Sequence, residues 1–101
     1  MNEPVFIFSA KGVASEATRL RAGARHALML FGVGVELASA RSAALAGAES
    51  KGWSFVEVER QKELDADLSL IEDETLRSAA EDAVRRGHSM IVYRDELPFD
   101  G

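Results

Sequence analysis

Val35 to Arg60 reads as the end of a strand, a helix and a second strand, and no other pattern in the chain limits its fold as much. Ala27 to Leu37 is apolar and begins to alternate at its end. Ser39 to Lys51 is a helix of small residues that stops at Gly52, and Trp53 to Glu59 alternates apolar and polar residues. Two strands joined by a helix imply a sheet with that helix laid across one face. The expected class is therefore α+β (or small α/β). It has a single four-stranded sheet with two or three helices packed mainly on one face, and one domain spans residues 1–101.

The remaining elements follow from periodicity and caps. Val5 to Phe8 is a short β-rich run after Pro4, which predicts the first strand. Between Gly12 and His26, Ala17, Leu20, Ala24 and Leu28 recur at helical spacing, although Gly23 interrupts the run. This favours a short helix; the competing reading is an irregular connection between two antiparallel strands. Ser39 is placed as the N-cap of the next helix and Gly52 as its C′ residue. Asp73 caps the last helix, Leu76, Ala79, Ala80, Ala83 and Val84 form its apolar stripe, and Gly87 ends it. Both Asp73–Arg86 and Ser39–Lys51 are expected on the same face. Ser89 to Tyr93 is the fourth strand, and the tail from Asp95 closes the sheet.

Composition bears mainly on what the chain excludes. There is no cysteine, so thiolate chemistry, disulfides and cysteine zinc sites are ruled out. No basic stretch precedes a long apolar one, and Ala27–Leu37 is too short to span a bilayer; the expectation is a cytoplasmic protein with no membrane partner. Residues 1–50 carry five Lys/Arg against four Asp/Glu, and residues 51–101 carry seven against thirteen. That acidic second half disfavours nucleic acid as a partner.

The candidate sites are few. Gly32-x-Gly34 follows an apolar strand and precedes a helix, as in loops that cradle pyrophosphate, but Leu37 stands where a third glycine would be. The competing reading is a glycine-relieved bend or bulge. His26 and His88 are the only histidines and have no metal-ligand spacing. Glu63, Asp65 and Asp67 alternate as calcium ligands do, yet Ser69 breaks the series and no glycine supplies the turn. Neither a metal site nor a cofactor is expected. Arg19, Arg21 and Arg25 form the only basic cluster, read as a solvated face. Trp53 and His88 each open a strand just after a helix-ending glycine, and Trp53 could floor a ligand pocket. Phe99 on the tail carries the same ambiguity.

Two functional expectations result. Leu28, Leu30, Phe31, Val33 and Val35 cannot all share one side of a regular strand. Either Gly32 marks a bulge, or apolar groups face both ways and a second copy covers what the helices leave open. The second case makes the protein a small association or regulatory module, a homo-oligomer and specifically a homodimer. The alternative is a small ligand-binding protein or enzyme with a pocket near Trp53 and His88. A nucleotide or phosphate binder at Gly32 and Gly34 ranks below both.

Overall fold

The computed structural model describes residues 3–98. Two strands, β1 (Val5–Ala14) and β2 (Arg25–Val33), form a long antiparallel hairpin at the centre of the sheet. A helix α1 (Leu37–Ser50) leads to β3 (Trp53–Glu63), and a second helix α2 (Glu74–Arg86) leads to β4 (His88–Glu96). The strand order is β3-β1-β2-β4 with every neighbouring pair antiparallel. The chain is thus a small α+β domain with one four-stranded sheet and two helices, as expected. No helix among the described residues is long and apolar enough to cross a membrane.

The Gly12–His26 segment is the irregular connection rather than the favoured helix. β1 runs on to Ala14, a single 3-10 turn covers Glu16–Thr18, and β2 starts at Arg25. Arg19 (φ 65°) and Gly23 (φ 87°) sit in the left-handed region, which a helix cannot continue through. Ala14 N–H donates to Ala24 C=O and Gly23 N–H to Ala14 C=O, both at 2.8 Å. Closing the hairpin satisfies more backbone groups than one isolated turn of helix, so the helical spacing of Ala17, Leu20, Ala24 and Leu28 is a coincidence of local pattern.

Helix ends depend on backbone groups that need partners. Asp73 accepts from Leu76 N–H at 3.0 Å at the start of α2, and Gly87 (φ 92°) closes it by donating to Ala83 C=O. α1 begins two residues before the predicted cap. Its N-cap is Glu36, and the Ser39 hydroxyl accepts from Glu36 N–H and donates to Glu36 C=O from inside the first turn.

The two helices lie on opposite faces of the sheet, which corrects the one-face placement. Phe6, Phe8 and Ala10 of β1 and Leu28 and Leu30 of β2 pack with Ala40, Ala44 and Ala48 of α1. Val5 and Phe31, supported by Ile7, Met29 and Val33, pack with Ala79, Ala80 and Ala83 of α2. The reason is strand parity. Successive side chains point to opposite faces, and the central hairpin is apolar on both, so each face needs its own cover. Leu30 and Phe31 are consecutive and both 0 % exposed. The β1–β2 register runs from Val5↔Val33 to Val13↔Arg25 without a shift, so there is no bulge at Gly32. The parity change that suggested an uncovered sheet face is absorbed by the second helix. Of Leu28, Leu30, Phe31, Val33 and Val35, only Val35, beyond the strand, is exposed, at 73 %.

Leu30→Asp and Phe31→Asp should each therefore bury an unpaired charge and lower stability by about 3–5 kcal/mol in urea denaturation. Neither should act as a surface change that alters association alone. A variant of either kind that keeps wild-type stability would contradict the two-sided core.

Candidate functional site

The residues singled out in the sequence are distributed over the whole sheet. β1 pairs Phe6 with Gly32, which in turn pairs with His88, and it pairs Ala14 with Trp53. His88 and Trp53 therefore lie at opposite ends of the sheet and share no pocket. The His88 imidazole fills the space beside Gly47 of α1: a Cβ added there would come within 2.9 Å of His88 Cε1, with other ring atoms closer still. Its place is a packing position between helix and edge strand.

Gly32 and Gly34 allow close approach of α1. A Cβ on Gly32 would run into the Ala40 carbonyl and stand 3.2 Å from Ala44 Cβ, and one on Gly34 would stand 2.6 Å from Ala40 N. The side of these glycines from which a pyrophosphate would approach is taken by the helix itself. The acidic residues of the β3–α2 connection have local tasks as well. Asp65 accepts from Asp67 N–H at 2.9 Å, and Asp67 accepts from Ser69 N–H and Oγ–H at 3.1 and 2.5 Å. A cavity of about 750 Å³ opens between this connection and α2. Leu64, Leu68 and Val84 line it together with Glu63, Asp67 and Glu81. Phe99 lies outside the described residues.

Around Trp53 the structure is more specific. The indole is buried and meets His26 edge-on, with ring centroids 5.6 Å apart at 76°. His26 is 1 % exposed, and its Nδ1 lies 2.9 Å from Tyr93 C=O. A carbonyl can only accept, so Nδ1 carries the proton; among the described residues Nε2 is buried without a hydrogen-bond partner. The contact has a structural cause. β2 and β4 pair Leu28 with Val92 but His26 with Glu96, so Tyr93, Arg94 and Asp95 stand opposite Ala27 alone. This irregularity takes the Tyr93 carbonyl out of the ladder, and His26 replaces the lost donor. Beside Trp53 lies a pocket of about 450 Å³, floored by Leu20, Trp53, Met90 and Val92 and rimmed by Arg19, Lys51 and Arg94.

The basic cluster read from the sequence is divided. Arg21 forms a two-pronged pair with Glu96, Nε–Oε2 at 3.0 Å and Nη2–Oε1 at 2.6 Å, tying the hairpin loop to the end of β4. Hydrogen bonds from that guanidinium hold the Glu96 carboxyl below the usual carboxylate range. Arg19 joins two cations from distant parts of the chain. No periodicity marks that set, since its members come from a loop, a helix end and an edge strand.

The two edges of the sheet differ. β3 carries Glu57, Glu59, Arg60, Lys62 and Glu63, shifts register twice against β1, and holds Phe55 at φ 50° and 83 % exposure. β4 is uncharged from Ser89 to Tyr93 and regular against β2 from His88 to Val92. Charges and bulges blunt an edge strand against further pairing; β3 has both, and the first part of β4 has neither.

Comparison of the chain with models of protein families, with curated proteins and with solved structures finds no match.

Two measurements check this geometry. Gly47→Leu should lower the denaturation midpoint, because displacing the His88 ring costs about 1–3 kcal/mol. That exceeds the gain of up to about 1 kcal/mol from better helix propensity. A raised midpoint would place Gly47 away from His88. The Arg21–Glu96 pair contributes stability above the unfolded-state value of the carboxylate, and this is lost as pH falls through the lower folded value. In Arg21→Gln, a carboxyl chemical-shift titration should move Glu96 upward towards an ordinary carboxylate. An unchanged titration would mean the pair does not form in solution.

Proposed function

We propose that the protein is a small association module that forms a homodimer by antiparallel pairing of β4 with β4 of a second copy. The ground differs from the one suggested by strand parity, because both sheet faces at the centre of the hairpin are covered and one sheet edge is not. The observation that carries this reading is the unblunted stretch His88–Val92. Val33 N–H donates to Gly87 C=O at 3.0 Å. In an antiparallel ladder the backbone groups of alternate residues point the same way. Ser89 and Ile91 therefore turn towards β2, whereas His88, Met90 and Val92 present N–H and C=O outward. Three residues of this kind make a template for a further strand, and a strand that pairs with its own copy satisfies both sets at once. Both helices pack against β4, so the pairing stretch is backed on either face. The result is a continuous eight-stranded sheet with a two-fold axis between the copies.

Sedimentation velocity tests this directly. The wild type should approach twice the 11.0 kDa chain mass as concentration rises through the micromolar range. Val92→Pro removes an outward N–H, a substitution that edge strands tolerate, and should remain monomeric with an unchanged circular dichroism spectrum. A wild type that stays monomeric at high micromolar concentration would refute the dimer.

A further inference from the structure

We propose that the pocket beside Trp53 binds a small organic anion with an apolar body, an acyl or aryl carboxylate. This goes beyond the association reading and rests on different observations. The pairing of β4 uses outward backbone groups, whereas the pocket uses the side chains that Met90, Val92 and Arg94 present on the α1 face.

The first observation is charge. Arg19 follows the 3-10 turn, Lys51 is the C-cap of α1 and Arg94 belongs to β4, and all three line one pocket. Every ion pair among the described residues joins other cations: Lys11–Glu59, Arg21–Glu96, Arg77–Glu74 and Arg85–Asp82. Arg19, Lys51 and Arg94 have no carboxylate within ion-pair distance among the described residues, and no described carboxylate lines the pocket. In a chain of net charge −5, three cations gathered without a counter-charge favour a ligand that brings one.

The second observation is the floor. Leu20, Trp53, Met90 and Val92 offer an aromatic ring, a thioether and two branched side chains, a surface suited to apolar groups rather than to a hydrated inorganic ion. The volume of about 450 Å³ is that of a small-molecule site. The apolar body would lie over the half-buried Leu20, Met90 and Val92 against the edge of the buried indole, and the carboxylate would accept from the two guanidiniums and the ammonium.

The third is strain. Arg19 is held at φ 65°, a conformation unfavourable for a residue with a long side chain. It stands on the rim, and residues held in this way cluster at binding sites because the surrounding structure must maintain them. Below the floor, His26 fixes the indole in place through its bond to Tyr93 C=O.

Trp53 is the sole tryptophan, so its emission reports on the pocket directly. Decanoate, kept below its micelle concentration, should bind saturably by calorimetry, change Trp53 emission and raise the thermal midpoint. Decanol, decylamine and acetate should each bind at least about tenfold more weakly, since each lacks either the charge or the body. Arg19→Asn, which the left-handed backbone tolerates, Lys51→Gln and Arg94→Gln should each weaken decanoate binding by about threefold to tenfold at unchanged circular dichroism. The ligand series on the wild type decides the case even if a variant misfolds. Flotation with phosphatidylglycerol vesicles distinguishes the source of the acyl anion: the protein should bind monomeric decanoate and leave vesicles unoccupied. Absence of a decanoate signal, equal binding of decanol, or binding to vesicles alone would each overturn the proposal.

Discussion

The β1–β2 hairpin and its demand for cover on both faces govern the rest of the molecule. Phe6, Phe8, Leu28 and Leu30 on one face and Val5, Ile7, Met29 and Phe31 on the other leave no solvent side at the Val5 end. A strand pair of this kind cannot stand at an edge, and here each strand has a further partner. It also cannot be served by helices on one side. With α1 and α2 on opposite faces, one chain of 101 residues builds a three-layer arrangement. The price is thinness: the buried helix positions are all alanine or glycine, and glycine stands where even a methyl group would collide.

That thinness explains several residues that look functional in isolation. Gly32 and Gly34 resemble the beginning of a phosphate loop, but they are the points where α1 presses closest on the end of β2. His88 resembles a site histidine, but it fills the hollow that Gly47 leaves in the helix. In each case a residue type used in chemistry has been recruited for contact distance. The sequence shows the residue type, while the packing partner lies in a different element and has no signature.

What is left open after the core is satisfied lies at the periphery. The edges are unequal, β3 charged and irregular, β4 plain and regular until Tyr93. The Ala14 end of the hairpin is covered by a loop and an indole rather than by a full helix. The pocket forms there for that reason: Leu20 and Trp53 close the core incompletely, and a loop, a helix end and an edge strand supply Arg19, Lys51 and Arg94. Trp53 was legible as a possible floor because a large ring at the mouth of a strand must lie over something. Arg19, Lys51 and Arg94 were not legible as a set, because more than thirty residues of chain separate each from the next.

Local pattern determined the two helices, their approximate ends, the four strands and the α+β class. Alternation, stripes of period 3.6 and capping residues act within a few positions of chain, and they operate before any tertiary contact forms. The same kind of pattern misread residues 12–26, where a helical spacing of alanine and leucine yielded to a hairpin closed through the chain on either side. Tertiary structure alone decided which face each helix covers, that Leu30 and Phe31 are both interior, and that Trp53 and His88 stand apart. Those outcomes depend on strand order and register, and a period of two specifies that neighbouring side chains diverge without saying what will meet them on either side.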